Sequence, residues 1–135
     1  MLAAIPVLAT SAIVAARGGD RAEPVKVPHG PPSSFEWTPW PEARGASATI
    51  YRSEDGRRVA MAVREAGHFT YTYPFDEFLL VTSGTAKVSV RNGPSFELQP
   101  GHVAYFREGV TAEFELSEDF SDVAVLVSDL EIKLR

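Results

Sequence analysis

Short segments in which apolar and polar residues alternate make up most of the chain from about residue 48 onward. In one of them Val59, Met61 and Val63 fall on one face, and the segment 85–91 alternates in the same way. An alternation with a period of two residues is typical of β-strands that bury one face. The pattern therefore predicts a protein built from short strands, with no long amphipathic helix.

About nine strands are predicted from this pattern. They are residues 48–52, 58–65, 68–73, 78–83, 85–91, 95–98, 103–106, 112–116 and 123–127. Turn residues separate them, among them Asn92-Gly93 and Pro100-Gly101, where glycine allows the positive φ angle of a tight turn. Regular short strands with Gly and Pro between them predict an all-β fold, a closed sandwich or barrel. No internal repeat is visible, so we expect a single unit.

An irregular segment, residues 17–48, precedes the strands. Six of the ten prolines lie in it, and proline excludes both a continuous helix and a central strand. The same segment carries Phe35, Trp37 and Trp40, which a solvated linker would rarely hold. We therefore divide the chain into an N-terminal arm, residues 1–47, and a β-barrel, residues 48–135. The arm is expected to pack on its own barrel or on a dimer partner.

The first sixteen residues are strongly apolar and allow two interpretations. A secretory signal carries positive charge before its apolar stretch, whereas the first basic side chain here is Arg17. Pro6 interrupts the stretch, which is also too short to span a membrane as a helix. We favour a short strand at Ile5–Leu8 followed by a helical turn, and expect a cytoplasmic protein without a membrane partner. An export signal or anchor is the alternative.

Composition narrows the classes of function. With 135 residues, 44% of them hydrophobic and 23% charged, the chain has the makeup of one ordinary globular domain. Its net charge is −5 and the sequence contains no run of Lys or Arg. A nucleic-acid-binding protein needs a basic surface to neutralise phosphates, so this class of function is not expected. The chain has no cysteine, which excludes disulfides, thiolate catalysis and cysteine-bound metal centres.

The segment from Thr70 to Glu77 carries the most specific motif. Tyr71 and Tyr73 alternate on a predicted strand, Glu77 follows four residues after Tyr73, and Gly84 ends the next strand. This spacing resembles the first metal motif of the cupin superfamily, in which two histidines stand at the positions of the tyrosines. Other segments resemble the small cupins grouped with ureidoglycine aminohydrolase and the ethanolamine-utilisation cupin. They are Tyr51–Gly56, Phe69–Phe78, Pro100-Gly101, Tyr105–Thr111 and Glu113–Glu115.

The resemblance implies a double-stranded β-helix, or jelly-roll barrel, and a homodimer, but the usual metal ligands are missing. The second cupin motif would place a histidine where this chain has Ala112, so Glu77 is the one expected ligand that remains. A neutral tyrosine is a poor ligand because its phenol must lose a proton of pKa about 10. We therefore expect no metal and no other cofactor. Ferric iron held by Tyr71, Tyr73 and Glu77 is the alternative.

Glu77, Tyr71 and Tyr73 are the candidate catalytic and ligand-binding residues. The two tyrosines are two positions apart, so both point to the same face of the strand, which in the cupin register lines the barrel interior with Glu77. Burial raises the pKa of a carboxyl group and suits it to proton transfer near neutral pH. Two phenols beside it would orient a substrate. In the alternative, the tyrosines fill the barrel and Glu77 accepts hydrogen bonds from their hydroxyls.

Three further residues are weaker candidates for ligand binding. Arg64 and Glu113 lie on strands whose faces approach the predicted cavity, and Phe114 stands where the related cupins often have tryptophan. The histidines do not fall on cupin ligand positions and are expected to be solvated loop residues. They are His29, His68 and His102.

These observations predict a small-molecule-binding cupin. The leading interpretation is a metal-independent enzyme that acts on a small polar, possibly nitrogenous, metabolite and uses Glu77 for proton transfer. The first alternative is a non-catalytic cupin that binds or senses a ligand. A structural partner of an enzyme complex and a metal-dependent cupin with Tyr and Glu ligands are the others.

Overall fold

A computed structural model describes residues 23–41 and 45–134 of the chain. The described residues form ten strands and one short 3-10 turn at Pro32–Ser34. The strands are β1 (Trp37–Pro39), β2 (Gly45–Arg52), β3 (Arg58–Glu65), β4 (Gly67–Thr72), β5 (Asp76–Ser83), β6 (Ala86–Val90), β7 (Ser95–Leu98), β8 (Val103–Phe106), β9 (Thr111–Leu116) and β10 (Ser121–Val127). Among these residues, none lies in a helix long and apolar enough to cross a membrane.

The strands form two sheets with antiparallel pairing throughout. One sheet has six strands in the order β1-β2-β3-β10-β5-β8, and the other has four in the order β4-β9-β6-β7. β10 lies between β3 and β5, where Ala124 is paired with Met61 on one side and Leu79 on the other. The all-β fold predicted from the alternation is confirmed, and its sheet order is compatible with a jelly roll.

The core lies between the inner faces of the two sheets. Along β10 Ala124 and Leu126 are buried, while the alternating Val125 and Val127 are each 43% exposed on the outer face. The largest completely buried side chains are Leu126, Val59 and Val81, all on the six-stranded sheet. Burying each such side chain stabilises the fold by roughly 1.5–3 kcal/mol, so the period-two pattern decides which face turns inward.

All nine strands expected between residues 48 and 127 are present, with ends that move by up to three residues. β2 begins earlier, at Gly45, because its first residues pair with both β1 and β3. β1 was not predicted, and it places Pro39 at the edge of the sheet, where a missing backbone N–H costs no ladder hydrogen bond. The expected strand at Ile5–Leu8 lies outside the described residues.

The aromatic residues of the arm dock on opposite faces of the six-stranded sheet. Trp40 packs against the core, and its Nε1 donates a hydrogen bond to Ser47 Oγ over 3.0 Å. Trp37 lies on the outer face, where it is paired with Ala48 in the adjoining strand. The described part of the arm thus packs on its own barrel through Trp40 and extends the sheet through β1.

Gly84 ends β5 in a conformation that excludes a side chain. Its φ is +73°, and an added Cβ would lie 2.6 Å from the Phe120 Cα and 2.7 Å from the Phe120 nitrogen. Backbone atoms at that distance must move, since they cannot turn away as a flexible side chain does. Gly101 has a similar φ of +89°, but an added Cβ there would meet nothing within 4 Å.

The two glycines allow a matched test of this close contact. Gly101→Ala is expected to lower the free energy of unfolding by about 1 kcal/mol, the cost of a left-handed alanine. Gly84→Ala is expected to cost at least about 2 kcal/mol more, since it adds a backbone clash to the same strain. Urea unfolding of the two variants measures the difference. Equal losses would show that the contact with Phe120 does not restrict Gly84.

Candidate functional site

The three leading candidates come together because a short loop joins β4 to β5. Tyr71 lies near the end of β4, paired with Ala112 of β9, and Glu77 is the second residue of β5. Tyr73 lies between the strands and is held by two backbone hydrogen bonds. Its nitrogen donates to the Val110 carbonyl over 2.9 Å, and its carbonyl accepts from the Gly109 nitrogen over 2.8 Å.

The ring of Tyr73 is at the centre of an aromatic cluster in the interior. It stacks on Phe106 with centroids 4.8 Å apart and meets Tyr71 edge-on at 4.9 Å. Phe75 and Phe114 contact its edge at 6.5 and 6.4 Å. Because Tyr73 is only 4% exposed while Tyr71 is half-buried, Tyr71 is the phenol nearer to solvent. Aromatic packing therefore fills much of this end of the barrel, as is common in small barrels.

Glu77 lies beside this cluster, paired with Phe106 on β8 and Leu126 on β10. Burial in the first place, and then the nearby carboxylates of Asp122 and Glu65, raise the pKa of its carboxyl group to about 8. No hydrogen bond from either tyrosine is among the causes of the shift. Glu77 is nevertheless only partly buried, and its carboxyl group is mostly protonated at neutral pH.

Asp122 and Glu65 are interior acids that the sequence analysis did not select. Asp122 is 6% exposed, and its Oδ1 has no hydrogen-bond partner in the part of the chain that the structure describes. Burial, followed by the charge of Glu65, raises the Asp122 pKa to about 7. The sequence did contain a signal for both acids. Asp122 lies two residues before the core residue Ala124, and Glu65 lies two residues after the core residue Val63, so alternation places both on the inner face.

The donor groups at the cupin metal positions do not fit a metal ion. Ala112 offers no donor atom, and burial together with the nearby Glu77 raises the pKa of Tyr73, which keeps its phenol neutral. Glu77 itself is mostly protonated at neutral pH. Within residues 23–41 and 45–134, no group of three His, Cys, Asp or Glu residues is placed to hold a metal ion. Proton chemistry is what these side chains can supply.

Of the weaker candidates, Phe114 belongs to this cluster and the two charged residues do not. Phe114 lies in the interior, stacked on Phe69 at 5.4 Å. Glu113 is exposed on the outer face of the four-stranded sheet, where it pairs with His68 over 3.2 Å. Arg64 is exposed on the outer face of the six-stranded sheet. Neither charged residue lines the interior with Glu77.

All three histidines are exposed, as expected for solvated residues. His29 Nδ1 lies 2.7 Å from the Val27 carbonyl oxygen, and His102 Nδ1 accepts a hydrogen bond from the Gln99 nitrogen over 3.1 Å. These contacts are local to their own loops. No histidine therefore contributes to the interior cluster.

The sequence matches a family model over residues 52–121, just over half of the chain. That model describes the EutQ-like cupin domain, and the match includes Tyr71, Tyr73 and Glu77. The chain belongs to the EutQ-like cupin family. The resemblance to the ethanolamine-utilisation cupins is thereby confirmed. A search of curated proteins finds no significant match.

Several solved structures share the fold of this chain. A Salmonella typhimurium protein assigned as ethanolamine utilization protein Q has a TM-score of 0.62 at 22% identity, covering 76% of this chain and 85% of its own. KdgF from a Halomonas species has a TM-score of 0.58 at 13% identity, covering 70% and 89%. A structure from a study of the DMSP lyases RdDddP and RnDddQII has a TM-score of 0.55 at 16% identity, covering 70% and 57%.

The interior acids make the stability of this cupin depend on pH. The pKa values of Glu77 and Asp122 are raised in the folded state to about 8 and about 7, whereas the unfolded chain titrates near the ordinary values. The folded protein therefore binds protons that the unfolded chain releases. The stabilisation is complete below about pH 4 and is lost as the pH rises towards 8.

We expect Asp122→Asn to flatten this profile, since an amide of nearly the same shape carries no charge. At pH 8 the variant should exceed the wild type in free energy of unfolding by on the order of 2 kcal/mol, with the difference vanishing near pH 4. Urea unfolding across this pH range measures it. Asp129→Asn, at an exposed site, is the control. A wild-type profile without a decline above pH 5 would contradict a buried Asp122 of raised pKa.

Proposed function

We propose that this cupin is a metal-independent enzyme for a small polar metabolite and that Glu77 transfers a proton to or from the substrate. The observation that carries the proposal is the combination of partial solvent access with a pKa of about 8 at Glu77. A group that titrates near the working pH is an efficient general acid or base. In its protonated form Glu77 donates to the substrate, and its carboxylate later takes a proton back.

The tyrosines would position the substrate in this scheme. Tyr71 is half-buried and in edge contact with Tyr73, so it is the more accessible of the two phenols. The ring of Tyr73 packs between those of Tyr71 and Phe106 and so fixes the position of the Tyr71 ring. A neutral phenol donates a hydrogen bond to a carbonyl or carboxylate oxygen, so the pair would orient an acceptor group beside Glu77.

The class of substrate follows from the charge of the interior. Asp122 and Glu65 lie near enough to Glu77 to raise its pKa, and Glu65 also raises the pKa of Asp122. Such a site favours a ligand that is neutral or positively charged over an anion. The ethanolamine-utilisation proteins of the same family, and the DMSP lyases among the proteins of similar fold, support a small nitrogenous or otherwise polar metabolite.

We expect Glu77→Gln to abolish turnover, by at least about a hundredfold, because the amide cannot exchange a proton at neutral pH. The fold should persist, since Gln is nearly isosteric and removes a desolvated acid. Turnover of a screened panel of small amines and amides, followed by NMR, measures the effect. Glu113→Gln, on the exposed outer face, should retain full activity. Retained activity in Glu77→Gln would exclude the proposed role.

A non-catalytic binding cupin is the second candidate, favoured by the aromatic cluster. Tyr73, Phe106 and Phe114 fill interior space that a substrate would otherwise use. Such a protein would be stabilised by its ligand without converting it. The same NMR screen separates the two functions, because a binding protein leaves the spectrum of its stabilising ligand unchanged over time.

We also propose that the outer face of the six-stranded sheet forms a homodimer interface. The pairing aligns one apolar residue from each of five adjacent strands into a row: Tyr51, Ala60, Val125, Phe78 and Tyr105. Four of these side chains are 41–57% exposed. Monomers rarely expose a contiguous apolar surface of this kind. Each copy carries a net charge of −5, so two copies repel each other electrostatically. An interface formed by this uncharged row avoids bringing like charges into contact.

Val125→Lys tests this interface because Val125 stands in the middle of the row. We expect the wild type to be dimeric at micromolar concentrations and the variant to be monomeric, since two buried ammonium groups would face each other across the two-fold axis. Light scattering coupled to size exclusion measures both masses. Ser89→Lys on the outer face of the other sheet should remain dimeric. A monomeric wild type, or a dimeric Val125→Lys, would overturn the proposal.

A further inference from the structure

A second concave site lies outside the barrel, between the arm and the six-stranded sheet. The pairing of β3 with β10 places Arg64 opposite Ser121, and Thr82 of β5 adjoins Ser121 on the same outer face. The arm covers this polar row and leaves a cleft of about 350 Å³. Its walls include Pro32, Ser33 and Trp37 from the arm and Arg64, Thr82 and Ser121 from the sheet. Its volume falls at the lower end of the range for ligand sites.

Arg64 is held in this cleft by an aromatic platform. Its guanidinium carbon lies 4.1 Å from the centroid of the Trp37 ring, and Trp37 is itself fixed by a 3.0 Å hydrogen bond from Nε1 to the Pro32 carbonyl. Within the described residues Arg64 has no carboxylate partner. Stacking occupies the face of the guanidinium and leaves its edge N–H groups free. Those groups match the two oxygens of a carboxylate.

A chain of hydrogen-bonded hydroxyl groups determines whether Thr82 donates or accepts a hydrogen bond in the cleft. Ser83 Oγ donates to the Asp119 carbonyl over 2.6 Å, because a carbonyl oxygen only accepts. Ser121 Oγ lies 2.6 Å from Ser83 Oγ. Because the hydroxyl proton of Ser83 is already donated to the Asp119 carbonyl, Ser121 is the donor in this pair. Thr82 lies 2.6 Å from Ser121, so by the same logic Thr82 donates to Ser121. Thr82 Oγ1 is therefore left with lone pairs and acts as an acceptor.

The cleft thus combines one cationic donor with one hydroxyl acceptor. Arg64 and Thr82 lie on strands two spacings apart, about 10 Å between backbones, and the arginine side chain spans part of that distance. Ser121 lies between them, and Ala62 and Val123 supply apolar floor in the next row of the sheet. Arg64 is the single cation among the lining residues, and Asp122 is the single acid, with its side chain buried on the core side. The cleft therefore suits one negative charge rather than the two of a phosphate ester.

We propose that this cleft binds a small hydroxycarboxylate, with the carboxylate on Arg64 and the hydroxyl donating to Thr82. The site is separate from the Glu77 cluster, since Arg64 and Thr82 face outward from strands whose Val63 and Val81 face the core. It therefore does not depend on the function proposed for the interior. The bound carboxylate would cover the edge of Trp37 and connect the arm to the barrel.

The two tryptophans of the chain provide a direct test. In ¹H–¹⁵N spectra of the full chain, 3-hydroxybutyrate should shift the indole N–H signal of Trp37, while Trp40 on the inner side serves as internal reference. Butyrate lacks the hydroxyl and should bind several-fold more weakly, by roughly threefold to tenfold. No shift at Trp37 with millimolar 3-hydroxybutyrate, or equal affinity for butyrate, would overturn the proposal. Tighter binding of inorganic phosphate would contradict the carboxylate assignment.

Three variants assign the contacts. Arg64→Gln should weaken 3-hydroxybutyrate binding by at least about tenfold, because a charge-assisted bidentate contact is lost. Arg58→Gln, at the far end of the same strand face, should bind like the wild type. Thr82→Val should reduce the affinity for 3-hydroxybutyrate to that for butyrate. Unchanged binding in Arg64→Gln, with a wild-type unfolding transition, would exclude this cleft as the site.

Discussion

The pairing of β10 between β3 and β5 is the constraint on which both candidate sites depend. This strand joins the two halves of the six-stranded sheet, and its register decides which residues of three strands share a face. Asp122, Ala124 and Leu126 point to the core, so Asp122 enters the interior together with Glu65 and Glu77. Ser121 and Val123 point outward, where they form the floor of the cleft under the arm. A slip of one residue would exchange the two sets.

The interior of this cupin carries acidic and aromatic side chains in place of the histidines of the family's metal motif. At the positions where the family motif has histidines, the chain has two tyrosines and an alanine, and the aromatic cluster lies beside Glu77. Burial then raises the pKa values of Glu77 and Asp122 towards neutrality. Protons become the species that neutralise these carboxylates. Such a site is suited to moving a proton, and it destabilises the fold as the pH rises.

The arm gives the outer face of the sheet two different surfaces. Where Trp37 and the turn at Pro32–Ser34 cover the polar row, the sheet is concave and carries an oriented arginine. Further along the strands, away from residues 23–41 of the arm, the outer face carries an exposed apolar row. A concave polar cleft fits a small ligand, whereas a flat apolar row fits a protein surface. The position of one short strand, β1, therefore separates the proposed ligand-binding cleft from the proposed dimer interface.

The sequence by itself determined the strands and their faces, because the period-two alternation is local and the buried face must be apolar. It also determined the cupin motif at Tyr71, Tyr73 and Glu77 and the glycine that ends β5. The partners of each strand were decided only by the tertiary structure, since alternation says nothing about which strand lies alongside. Glu65 and Asp122 meet Glu77, and Trp37 meets Arg64, through contacts between segments distant in the chain. Their pKa shifts and the cleft arise from packing, which a local pattern cannot encode.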